Sequence, residues 1–187
     1  GITVVDMKTG TEACRVEHQL ESREAVLGLA FSPDGTCLVI IDYRVGLVRL
    51  IEVPGGNEKA RFKIGDAYTV DFIQDGGYLV IEAHGSNPGF HFIDPKSGTL
   101  LNSIHFREKG EGELSGDARR AVTVDANQVR LFEVPSGKEV ARWQEGSLRA
   151  FFDRSGQRLI IENKSGIIRL VDSASGMEKS RVELGCG

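Results

Sequence analysis

Five times along this chain an acidic residue closes a short apolar run, and the five places are almost evenly spaced. The first is Asp6, after Ile2, Thr3, Val4 and Val5; the others are Glu52, Asp94, Glu133 and Asp172. The intervals are 46, 42, 39 and 39 residues (6 to 52, 52 to 94, 94 to 133, 133 to 172). Four residues beyond each acid stands a glycine: Gly10, Gly56, Gly98, Gly137 and Gly176. Six beyond stand Glu12, Glu58, Glu139 and Glu178, and nine beyond stand Arg15, Arg61, Arg142 and Arg181. Only the third copy departs, with Leu100 and Ser103. A chain built this way is an array of supersecondary units of about 40 residues, each completed by its neighbours.

The rest of each unit repeats as well. Phe31-Ser32-Pro33-Asp34-Gly35 is echoed by Phe72 to Gly76 and Phe152 to Gly156, and more loosely by Leu114 to Ala118. A short apolar run follows each: Leu38 to Ile41, Leu79 to Ile81, Ala121 to Val124, Leu159 to Ile161. These runs are too short for helices, rich in Val and Ile, and bounded by Gly, Asp and Asn, which predicts strands. Residues 25–64 then divide into strand a (Val26 to Phe31), b (Cys37 to Ile41), c (Leu47 to Val53) and d (Glu58 to Ile64). Pro33 sets φ for the second position of a type I turn, and Gly35 and the glycine after each strand c supply left-handed positions. Strand c carries apolar residues on both faces, Val48 and Leu50 on one and Ile51 and Val53 on the other, so both faces need cover. A sheet stacked between two like sheets provides it. Four-stranded antiparallel units so arranged are the blades of an all-β propeller.

Val129 to Arg142 and Val48 to Arg61 resemble the c–d hairpin of prokaryotic WD40 repeats, and Phe31 to Gly35 resembles the a–b turn of the same repeats. Phe132-Glu133 and Ile51-Glu52 stand where that family has Trp-Asp, and no Gly-His pair precedes a strand a, so the family's His–Asp tetrad is not built here. Surface-layer and lactonase-like propellers carry a similar turn. The resemblance implies a non-catalytic scaffold that presents loops to protein partners. A lactonase-like hydrolase and a structural, surface-layer array are the alternatives.

Eighteen strands make about four and a half blades: a half blade over 1–23, then blades over 24–65, 66–108, 109–146 and 147–187. The first blade lacks its strands a and b. The expectation is a segment of a larger ring, its missing blades supplied by the rest of a longer chain or by self-association; a distorted five-bladed ring is the other option.

The chemistry of the side chains is sparse. His18, His84, His91 and His105 have no metal-ligand spacing among them. No nucleophile elbow or phosphate-binding loop occurs, and Gly110-Glu111-Gly112 reads as a d–a connection without a Rossmann context. The early residues of the a strands offer few candidates to a central channel, chiefly Glu113 and Arg149. No catalytic residue, cofactor or metal is therefore expected. The acids ending strand b (Asp42, Glu82, Asp125, Glu162) read as turn acceptors, and the arginines of strands c and d as partners for acids in the same blade.

With 23 basic against 27 acidic residues, nothing favours nucleic acid or an anionic membrane, and no apolar run approaches the ~20 residues of a membrane span. Cys14, Cys37 and Cys186 form no disulfide framework, and cytoplasmic residence is expected. The contact residues expected for a protein partner are Tyr43 and Arg44 in one b–c loop, His84 and Asn87 in the expanded b–c loop, and Arg107 and Lys164.

Overall fold

The computed structural model describes residues 1–17, 27–107, 110–144 and 147–184. Within them the chain forms eighteen β-strands and no helix. β1 (Ile2–Val5) and β2 (Glu12–Val16) make a two-stranded sheet. β3 (Leu27–Phe31), β4 (Cys37–Asp42), β5 (Leu47–Glu52) and β6 (Glu58–Lys63) make the second sheet. β7 (Asp66–Ile73), β8 (Tyr78–His84), β9 (Gly89–Asp94) and β10 (Thr99–His105) make the third. β11 (Glu111–Leu114), β12 (Arg120–Val124), β13 (Val129–Glu133) and β14 (Glu139–Trp143) make the fourth. The fifth holds β15 (Ser147–Phe152), β16 (Arg158–Asn163), β17 (Ile167–Asp172) and β18 (Glu178–Glu183). Strands follow chain order in every sheet, and the four four-stranded sheets show the a-b-c-d pattern of a propeller blade. His18, Val26 and Cys186 lie outside the described residues.

One expectation needs correction. Glu111 and Gly112 are not part of a connection but open β11, paired with Val124 and Thr123. The reversal ends a residue earlier, where Gly110 N–H donates to the Arg107 carbonyl at 2.7 Å. A glycine can take the extended backbone of a strand as readily as that of a turn.

The spacing of four between acid and glycine has a direct cause. In each c–d hairpin the glycine N–H donates to the carbonyl of the acid four residues back, at 2.7 Å for Gly56 to Glu52 and 2.8 Å for Gly98 to Asp94. Where the acid is an aspartate, its carboxylate accepts from intervening N–H groups, as Asp6 does from Lys8, Asp94 from Lys96 (2.8 Å) and Asp172 from Ser175. The ladder shifts register beside this turn in the hairpins of β1–β2, β5–β6, β13–β14 and β17–β18. The glycines sit at φ between +67° and +73°, a region that costs a side-chain-bearing residue about 1 kcal/mol or more.

The a–b turns are held differently. Asp34 Oδ1 accepts from the hydroxyls of Ser32 (2.6 Å) and Thr36 (2.8 Å), and Ser32 Oγ accepts from Cys37 N–H (2.9 Å). Those donors, the Ser32 hydroxyl foremost, pull the Asp34 carboxyl down to about 2. The Phe72 to Gly76 turn departs from its sequence echo: Gln74 and Asp75 both adopt positive φ (51° and 56°).

The chain divides into two compact units, Gly1–Leu101 and Asn102–Gly187. In the first, one apolar layer joins Val4, Cys14 and Val16 to Leu38, Ile40 and Ile51. A second joins Val39, Ile41, Val48 and Leu50 to Leu79, Ile81 and Ile93. In the second unit, Val122, Val129 and Leu131 meet Leu159, Ile161 and Val171, with Trp143 packed alongside. Each layer lies between consecutive sheets, which is why both faces of β4 and β5 are apolar.

Candidate functional site

In the first unit the b–c loops and the d–a connection meet. Ile64 N–H donates to the Gly46 carbonyl at 2.9 Å, so the loop of Tyr43 and Arg44 is tied to the end of β6. A Cβ on Gly46 would run into the carbonyl oxygen of Gly65. A Cβ on Gly65 would in turn lie 3.2 Å from the His84 carbonyl oxygen and 3.4 Å from Ser86 Oγ. Arg44, His84 and Asn87 therefore belong to one rim.

Against His84 stands Tyr68, which sequence reasoning did not single out. Alternation along β7 would point it inward with Val70 and Phe72. Instead the pairing of β7 with β8 runs from Ala67↔Ala83 directly to Thr69↔Glu82, leaving Tyr68 as the extra residue of a bulge. A bulge redirects the side chain it carries. Tyr68 is 65% exposed and meets the His84 ring edge-on, centroids 5.0 Å apart. His84 Nε2 lies 3.3 Å from Glu82 Oε1, whose other oxygen accepts from the Thr69 hydroxyl at 3.3 Å. The result is an exposed aromatic pair with an acceptor beneath it.

The other expected contact residues are placed as follows. Tyr43 is half-buried, packed on the core of the first unit, and occupies the space that a Cβ on Gly28 would need. Its ring supports the loop rather than extending from it. Arg44 is exposed, with its N–H on Asp42 Oδ1 at 3.1 Å. Asn87 is exposed, and its carbonyl oxygen lies 3.2 Å from Nε2 of the buried His91. Arg107 and Lys164 are in the second unit: Arg107 is 3.9 Å from Asp125, and Lys164 projects from a turn in which Asn163 Oδ1 accepts from Ser165 and Ile167.

The acids ending strand b act locally. Asp125 accepts from Asn127 and Gln128, and Glu162 from Arg149 at 2.6 Å. The arginines pair largely within their own sheet, Arg49 and Arg61 both with Glu58 and Arg142 with Glu139. The two polar groups offered by strand a are engaged as well. Glu113 Oε1 accepts from Phe152 N–H at 3.2 Å, its carboxyl pushed up by burial, and the Arg149 guanidinium lies 5.7 Å from the Phe151 ring centroid. The second unit also carries an open polar groove of about 350 Å³ lined by Asp117, Arg119, Arg120, Gln157, Asp172 and Ser173. Arg120 Nε crosses it to the Ser173 carbonyl at 2.9 Å.

No protein-family model matches the chain, and no curated protein does. Solved structures do. A eukaryotic initiation factor superimposes with a TM-score of 0.59 and 14% identity, over 95% of this chain and 48% of that one. Dihydro-heme d1 dehydrogenase NirN, in complex with DHE, superimposes with a TM-score of 0.55 and 18% identity, over 97% of this chain and 41% of that one. This chain thus spans less than half the length of either. At such identities the likeness is one of fold alone, and both neighbours are propellers. The described residues are all-β, four four-stranded antiparallel sheets and one of two strands, in the manner of propeller blades.

Proposed function

We propose that this chain is a non-catalytic interaction module that binds a protein partner through the b–c rim of its first unit. The observation that carries the reading is Tyr68, turned outward by a bulge, largely exposed, and braced by the His84 ring. A tyrosine ordered in this way offers a large contact area with little entropy left to lose, and the exposed Arg44 and Asn87 of the neighbouring loops supply polar contacts. The reading as a non-catalytic module is supported by Glu113 and Arg149, each engaged by a neighbouring group. WD40-like scaffolding in a reducing, cytoplasmic setting accords with Cys14 and Cys37, both free and buried.

The test is affinity capture from native extract with the wild-type chain, with Tyr68→Ala and with the double variant Tyr68→Ala/His84→Ala, each verified as folded by circular dichroism. The expected result is at least a tenfold loss of a specific bound protein in the double variant and an intermediate loss in the single one. A bound set identical for all three proteins overturns the reading.

A further inference from the structure

Successive sheets of a unit are pinned turn to strand. In the first unit a Cβ on Gly98 would collide with Ala60 Cβ, and in the second a Cβ on Gly176 would collide with Ala141 Cβ. The second of these contacts seats the c–d turn of the fifth sheet on the fourth, and that turn is one wall of the polar groove of the second unit. The floor is held as well. Ser173 Oγ donates to the Gly156 carbonyl at 2.6 Å, and the Arg120 guanidinium donates to the carbonyls of Ser173 and Arg119, both at 2.9 Å. A cation anchored on two backbone carbonyls has little freedom left to lose when it meets a ligand.

The turn itself does not require that cation. The Arg120 carbonyl accepts from Ser115 N–H at 2.9 Å, as the Cys37 carbonyl does from Ser32 N–H in the second sheet. The place of Arg120 is thus taken there by a small, buried, uncharged residue, and the same turn bond forms.

Nor is the charge matched within the protein. Arg142, Arg149 and Arg169 of the same unit each meet a carboxylate. Among the described residues Arg119 and Arg120 meet none, although Arg120 is half-buried. The two acids that line the groove are occupied elsewhere. Asp117 Oδ1 accepts from the Ser115 hydroxyl (2.7 Å) and Arg119 N–H (3.1 Å). Asp172 Oδ1 accepts from the Ser175 hydroxyl (2.7 Å), and its Oδ2 lies 3.6 Å from Lys179 Nζ. A guanidinium that is partly desolvated and without a counter-charge is relieved by an anion in the groove.

We propose that this groove binds a carboxylate side chain from an acidic peptide segment of a partner protein, held by Arg120 and Arg119 with the exposed Gln157 amide donating beside them. The arginine fork matches a carboxylate in geometry as well as in charge. A phosphate offers similar oxygens but about twice the charge, which Asp117 and Asp172 in the same groove oppose. The net charge of −4 on the chain works against indiscriminate capture of acidic peptides, so binding of one depends on local donors of this kind. The site is separate from the Tyr68 rim and stands without it.

Fluorescence anisotropy of a labelled oligoglutamate peptide, titrated with the whole chain, tests the assignment. Saturable binding is expected, weakened roughly tenfold by Arg120→Gln and by a smaller factor in Arg119→Gln. Lys63→Gln, which removes an exposed charge of the first unit, is expected to leave it unchanged. Arg119→Lys keeps the charge without the fork and is expected to fall between the wild type and Arg119→Gln, which preserves the test if Arg120→Gln fails to fold by circular dichroism. Absence of saturable binding, or an equal loss in Lys63→Gln and the groove variants, overturns the site. A phosphoserine peptide of the same length that competes more tightly than oligoglutamate overturns the choice of carboxylate.

Discussion

Ala118 holds the place in its a–b turn that Gly35 and Gly156 hold in theirs, and it does so at φ +52°. Its N–H still closes the turn on the Ser115 carbonyl at 2.7 Å, so the alanine accepts a strained backbone for the sake of that bond. Ala118→Gly is expected to stabilise the fold by roughly 0.5–1 kcal/mol, the relief of strain exceeding the added freedom of the unfolded chain. Urea denaturation monitored by Trp143 fluorescence would measure it. Asp34 offers a second test at the same scale. Its carboxyl, held at about 2 by the Ser32 and Thr36 donors, contributes fully above the unfolded value of about 4. That contribution is lost as pH falls from about 4 through about 2. An NMR titration should therefore find the Asp34 carboxyl half-protonated near 2, and Asp34→Asn should remove its share of the acid-side loss. A midpoint near 4 would mean that the Ser32–Asp34–Thr36 cluster does not form in solution.

Among the strands, β4 is buried along its whole length and β18 is exposed along its whole length. Backbone amides of β4 are thus expected to exchange with solvent slowest and those of β18 among the fastest, a ranking that hydrogen-exchange mass spectrometry reads directly. The strands themselves were legible in the sequence, because apolar runs such as Leu38 to Ile41 and the repeated turn residues mark them without knowledge of the neighbours. The glycines after strand c were legible for the same reason: an offset of four is the span of the hydrogen bond that closes the turn. The candidate rim was legible only in part. Arg44 and Asn87 fall in loops, and His84, which the loop reading also took in, is the last residue of β8, paired with Asp66; Tyr68 lies in a strand whose alternation points it inward. A one-residue bulge between Ala67 and Thr69 reverses that, and no pattern of period two records it. Tyr43 fails in the opposite sense: its loop position suggested exposure, whereas the bare backbone of Gly28 draws the ring down.

Within each unit, cohesion comes from apolar layers between consecutive sheets, and the turn glycines mark where those layers close. In thermodynamic terms the contact of Gly98 with Ala60 is a coupling constant between neighbours in a one-dimensional array. Weakening a coupling does something that weakening a unit does not: it shortens the distance over which melting is cooperative. Gly35→Ala, at a turn with no described atom near its Cβ, should cost about 1 kcal/mol and move the denaturation midpoint at constant slope. Gly98→Ala should cost more, about 2–4 kcal/mol once overpacking is added, and should also flatten the transition. Fluorescence and circular dichroism, coincident for the first variant, would separate for the second as the sheets on either side of Ala60 begin to melt independently.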